Sequence, residues 1–173
     1  TKNNDKLRRA VLSEDFVLKS RVVFLLVSAL AVVFVYVLVF NWRRSVPEAL
    51  LASSILALSW EVAYHLRWIA PDGLLMMFGT LTMLGVLMAF RNGHRRWLWL
   101  SAITAGLACG TKYPGGLFIV TVVIAAVQIS DRNDSYWLRA FFFVKLMLAF
   151  VVVYLISSPG TVLEPDEWYM WLS

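Results

Sequence analysis

The chain has 173 residues, of which 60% are hydrophobic and 16% charged, with a formal net charge of +5. A soluble domain carries about 25% charged residues, so a soluble globular class is excluded and the composition is that of a polytopic membrane protein. The basic residues stand as short clusters beside apolar runs, which excludes nucleic acid as partner and fits loops lying against anionic membrane lipid. One cysteine, Cys109, excludes an internal disulfide and a Cys-rich metal site.

The polar stretch 1–15 has no apolar core of the kind a signal peptide needs. With no initiator Met and an aromatic-rich end at 168–172, residues 1–173 read as an internal part of one larger transmembrane domain. A spanning helix needs about 20 mostly apolar residues. The first span is predicted over about 18–42, because 22–42 is free of ionisable groups. The turn Asn41–Pro47 places Pro47 in the first turn of the next helix. That second span runs over about 47–68 and stops near Pro71, since the residue before a proline leaves the α region.

The third span covers 73–90, and Gly93 supplies the turn after it. The stretch 97–111 is only about 22 Å long as a helix, short for a hydrocarbon core of about 30 Å. Lys112 and Pro114-Gly115-Gly116 follow, then an apolar run over 114–130. One straight helix through both would be about 50 Å long, so two spans meeting in a tight turn at 111–116 are favoured over a single broken helix. A sixth span covers 140–157, and 158–173 is a polar, acidic external segment. The fold class expected is therefore an all-α bundle of about six transmembrane helices.

Alternating six spans puts loops 41–47, 91–96 and 131–139 on one side, with Arg43, Arg44, Arg91, Arg95, Arg96, Arg132 and Arg139. Beyond residue 60, the other side carries as cations only Arg67 and Lys112. The excess of Arg assigns the first set to the cytoplasm. The N-terminal flank, with Lys2, Lys6, Arg8, Arg9, Lys19 and Arg21, disagrees, and is set aside because a preceding span is expected. Asp72, Lys112 and the loop Ser158-Pro159 then meet on the external side. Tryptophans at the span ends (Trp42, Trp68, Trp97, Trp99, Trp137, Trp168 and Trp171) read as an interfacial belt.

Four ionisable residues, Glu61, His65, Arg67 and Asp72, cluster between the second and third spans. Charges near hydrocarbon cost about 2.5–3.5 kcal/mol on insertion scales, which makes the cluster a candidate site. Glu61 and His65 are i,i+4 neighbours that either bind a proton or polar substrate or simply fix helix packing. Arg67 either snorkels to headgroups or holds a phosphate with its planar guanidinium. Asp72 can cap the following helix, orient a hydroxyl or hold a divalent cation, Mg or Mn. Lys112 lacks the strand, helix and following Ser/Thr of an ATP-binding loop, but its ammonium suits a lipid phosphate. Gly106 and Gly110 form a GxxxG, whose commonest use is close helix packing. Lys145 can snorkel to the nearer interface and is given no role.

On these residues the chain resembles the protein O-mannosyltransferase-like membrane glycosyltransferases of the GT-C fold. His65-Leu66-Arg67-Trp68-Ile69-Ala70-Pro71-Asp72 is similar to that family's H-x-R-x-x-x-P-D segment. Gly106-Leu107-Ala108-Cys109-Gly110-Thr111-Lys112-Tyr113 is similar to its G-L-A-x-G-T-K-Y segment, and Ser158-Pro159 through Glu167-Trp168 to the polar loop after it. The resemblance covers about residues 18–170. It implies transfer of a sugar from a polyprenyl-phosphate donor to a protein, lipid or glycan acceptor on the external or luminal face. It implies Asp72 as the second acidic position, with a catalytic or a metal-binding role. Lys112, Arg67, His65 and Tyr113 are implied on the substrate side. The family's presumed base, an acid in the first external loop, would lie upstream of Thr1. Two other readings stand beside it: a transporter or channel whose path is lined by Glu61, His65 and Lys112, and a non-catalytic membrane scaffold.

Overall fold

The structure, a computed structural model, describes residues 14–60, 64, 71–129 and 135–160. Its regular elements are all helical: α1 (Glu14–Arg43), α2 (Val46–Leu58), α3 (Asp72–Asn92), α4 (Arg96–Thr111), a 3-10 turn (Tyr113–Leu117), α5 (Phe118–Ile129) and α6 (Tyr136–Ser157). In hydrocarbon every backbone N–H and C=O must be satisfied within the chain, and a helix does this locally. Among the described residues three helices, α1, α3 and α6, are long and apolar enough to cross a membrane. The second, fourth and fifth predicted spans are shorter: 13 residues in α2, 16 in α4 and 12 in α5.

The helix ends follow local chemistry. The Ser45 hydroxyl caps α2 by accepting from the Glu48 N–H at 3.4 Å, with Pro47 in the first turn. The predicted span 47–68 is interrupted at Ser59, whose backbone turns extended (φ −62°, ψ 122°). Serine competes with helical hydrogen bonding and favours such ends. Gly93 closes α3 in the left-handed region at φ +66°, donating to the Ala89 carbonyl at 2.9 Å. This is the turn expected there. Between α4 and α5 the chain makes a tight reversal, so 97–129 is two helices packed on each other rather than one rod.

The helix α4 is the hub, packing against α3, α5, α6 and the 3-10 turn, while α3 also carries α1. Its surface makes this possible: Ala102, Ala105 and Ala108 are fully buried. A Cβ on Gly106 would lie 2.7 Å from the Phe150 carbonyl and 3.0 Å from Val153 Cβ, and one on Gly110 would collide with Ser157. The GxxxG is therefore the seam between α4 and α6. Toward the other end, Ala89, Leu98, Ala102, Val122, Ala125, Ala126 and Leu146 form the apolar core, with Trp97 and Trp99 packed against it. Those two tryptophans help close the core instead of forming only an interfacial belt. Trp42 and Trp137 are exposed, as a belt requires.

A buried hydroxyl network ties α3 to α4. Thr82 Oγ1 and Thr104 Oγ1 are 2.8 Å apart, and Ser101 Oγ donates to the Thr82 carbonyl at 3.1 Å. Outward faces are apolar and exposed, including Leu26 and Val33 on α1 and Phe141, Leu148 and Val152 on α6, as a lipid-facing surface requires. Lys145 Nζ lies 4.2 Å from the centroid of the Phe141 ring, one turn back toward the start of α6, the snorkelling direction expected of it.

Two variants test this packing. Gly106→Val should lower the melting temperature of the detergent-solubilised protein, at a cost of about 1–3 kcal/mol from overpacking. Gly160→Ala, with nothing within 4 Å of the added carbon, should leave it unchanged. A double-mutant cycle of Thr82→Val and Thr104→Val should show a coupling of about 0.6 kcal/mol, small because Thr104 also bonds the Leu100 carbonyl at 3.0 Å.

Candidate functional site

The bundle has two chemically different ends. At one, the C-termini of α1 and α3 meet: Arg91 donates to the Asn41 side-chain oxygen at 2.9 Å and to its carbonyl at 3.1 Å. Arg95 lies over the Phe142 ring at 5.3 Å, bringing the starts of α4 and α6 to the same end. Arg43 bonds Glu48 at 2.7 Å beside them. The Arg-rich loops thus gather as the alternation of spans predicts, as far as the described residues reach.

The opposite end gathers the start of α3, the end of α4, the 3-10 turn and the end of α6. Asp72 is the first residue of α3, and the N-cap position is taken by Pro71 (φ −69°, ψ −11°) with no side-chain capping bond. Asp72 therefore does not serve as the N-cap, and its carboxylate instead accepts a hydrogen bond from Lys112 Nζ in an ion pair. The contact joins residues 40 apart in sequence. Lys112 reaches it because α4 ends there: its backbone is extended (φ −151°, ψ 137°) and its N–H still bonds the Ala108 carbonyl at 3.1 Å.

The turn beyond Lys112 is folded tightly. The Gly115 N–H donates to the Lys112 carbonyl at 2.8 Å, and a Cβ on Gly115 would collide with the Ala108 backbone. Only a glycine fits against α4 at that position. Tyr113 opens the 3-10 turn and is exposed. Contact between Gly110 and Ser157 brings the end of α6, and with it Ser158, to the same end. Three helices, α3, α4 and α6, therefore meet at this end together with the 3-10 turn, as the spans predict.

Both charges sit where helix dipoles favour them. A carboxylate at the N-terminus of α3 and an ammonium at the C-terminus of α4 each gain about 0.3–1 kcal/mol from the aligned peptide dipoles. The pair is also reachable, with side chains 43% exposed at Lys112 and 30% at Asp72. Its chemistry is that of an acceptor carboxylate and a phosphate-binding cation, side by side. Among the described residues no group of three His, Cys, Asp or Glu could ligate a metal.

Glu61, His65 and Arg67, with Trp68, lie outside the described residues, as does the polar segment 161–173. The structure thus joins Asp72 and Lys112 with Tyr113 adjacent, while the rest of the H-x-R-x-x-x-P-D segment is known from sequence alone. Sequence reasoning overlooked Ser157, which fits against Gly110 beneath the site. Its signal was the small-residue seam of α4, whose partner could not be named without the fold.

No curated protein and no solved structure matches the chain. The model of one family does, over residues 10–162: dolichyl-phosphate-mannose-protein mannosyltransferase. That match covers most of the chain, including both motif segments and all the helices of the site, and agrees with an all-helical membrane fold. The chain belongs to the dolichyl-phosphate-mannose-protein mannosyltransferase family, and is a membrane glycosyltransferase of the GT-C fold.

Proposed function

We propose that this protein takes a sugar, mannose or a related hexose or pentose, from a polyprenyl-phosphate carrier. It passes the sugar to a hydroxyl of a protein, lipid or glycan acceptor at the bundle end that holds Asp72 and Lys112. The observation that carries the proposal is the ion pair between those residues, which places a cation and a carboxylate together on an accessible surface. The family match favours this over a transport path.

In the reaction the acceptor oxygen bonds to the anomeric carbon as the bond from that carbon to the carrier phosphate breaks. The bonding electrons leave with the phosphate oxygen, and the acceptor proton must go to a base. Negative charge therefore builds on the phosphate, and the Lys112 ammonium is placed to stabilise it where water is scarce. Arg67, four residues before Pro71, is the second cation proposed for the same phosphate. Asp72 accepts a hydrogen bond from the acceptor hydroxyl and orients it, with His65 and Tyr113 lining the substrate side. The base that takes the proton is a different acid. The apolar helix faces beside the site suit the isoprenoid tail.

Full-length protein in membranes, given dolichyl-phosphate mannose and a hydroxyl-bearing acceptor peptide, tests the roles. Lys112→Met should lower kcat/KM by about 10²–10³ and Asp72→Asn by about 10²–10⁴. Unchanged transfer in both variants overturns the assignment. We also place this end of the bundle on the external or luminal side. With Cys109 replaced by serine, Tyr113→Cys should react with an impermeant thiol reagent from that side only, and Arg44→Cys only from the cytoplasmic side. Labelling of both from one side removes the proposed topology.

A further inference from the structure

The ion pair has a consequence for the order of events, and it rests on the reading of Lys112 as the carrier-phosphate cation. As the structure stands, the ammonium that would receive the phosphate is occupied by Asp72, the carboxylate that would receive the acceptor hydroxyl. Neither group can do its work in full while each is bound to the other. We infer that the carrier phosphate exchanges with Asp72 on Lys112, so that donor loading releases the carboxylate for the acceptor.

Four features support an exchange. The pair is partly exposed, and ion pairs open to solvent are weakly held, so the phosphodiester anion of an incoming donor can compete with the carboxylate for the ammonium. A phosphate drawn to the same ammonium would otherwise sit against the Asp72 carboxylate, and two anions at contact distance repel even where solvent screens them in part. Asp72 does not become stranded on release, because it remains in the first turn of α3, where the helix dipole favours its charge. Lys112 stands on an extended residue between α4 and the 3-10 turn, with a flexible four-carbon stem, so its head can move while the backbone stays fixed. The resting pair thus keeps the lysine from recruiting other headgroups and keeps the carboxylate occupied until the donor arrives.

Binding without turnover tests the exchange. The full-length protein is placed in nanodiscs and titrated with farnesyl phosphate, with farnesol as the uncharged control and inorganic phosphate to separate lipid-borne from free anion. Asp72→Asn should tighten farnesyl phosphate binding by about two- to fivefold, the worth of an exposed ion pair. The same change in the Lys112→Met background should give no gain, because there is no ammonium left to free. Asp72→Ser, checked by thermal unfolding, should repeat the gain if Asp72→Asn folds poorly. Unaltered or weaker binding in both Asp72 variants overturns the exchange, and so does an equal gain with and without Lys112. Loss of mannosyl transfer in Asp72→Asn without any binding gain sinks the exchange while leaving the catalytic reading intact. A binding gain in Asp72→Asn, alongside a wild type that transfers no sugar, upholds the exchange and sinks the catalytic reading.

Discussion

The close approach of α4 to its neighbours is the constraint on which the other features depend. Between helices in lipid there is little hydrophobic driving force, so association relies on van der Waals contact and interhelical hydrogen bonds. Both need backbones near each other. Alanines and glycines along α4 provide this: Gly106 meets the Phe150 carbonyl, Gly110 meets Ser157, and the Thr82–Thr104 bond closes the opposite side. If α4 carried larger residues, the ends of α3 and α6 would move outward, and Lys112 would lose its geometric relation to Asp72.

Much of this was legible in the sequence because membrane helices announce themselves by length and apolarity. The helices appear near the predicted places, and Gly93 makes the turn expected of it. Convergence of Asp72, Lys112 and Ser158 followed from alternating the spans, a counting argument that needs no knowledge of tilt. Less legible were features decided by neighbours. Ser59 ends α2 early, and nothing in the apolar run around it distinguishes that serine from Ser53, which stays helical and bonds the Leu50 carbonyl at 3.1 Å. Trp97 and Trp99 lie at a helix start, where sequence assigns them to the interface, yet the fold brings Phe142 to Trp99 at 6.3 Å and draws both toward the core. Asp72 looked like a helix cap, and the competing partner was 40 residues away.

The charge distribution separates the two ends of the bundle by function. Arginines at one end are engaged with an asparagine, a glutamate and aromatic rings, contacts that fix helix ends together. At the other end, among the described residues, an acid and a base from different helices face each other with access to the surroundings. The first arrangement is a fastening, whereas the second leaves both groups able to take new partners.

Helix lengths add a last point. From the shared turn at Gly93, α3 runs 21 residues to Asp72 while α4 runs only 16 to Thr111, a difference of about 7 Å in rise. The backbone of Lys112 is therefore set back from that of Asp72, and the long side chain makes up the interval. A lysine at this position works as a post rising from a recess, carrying its charge up to the level of the carboxylate. A cation whose charge lay close to its own Cα would be stranded below the site, however well the helices around it were packed.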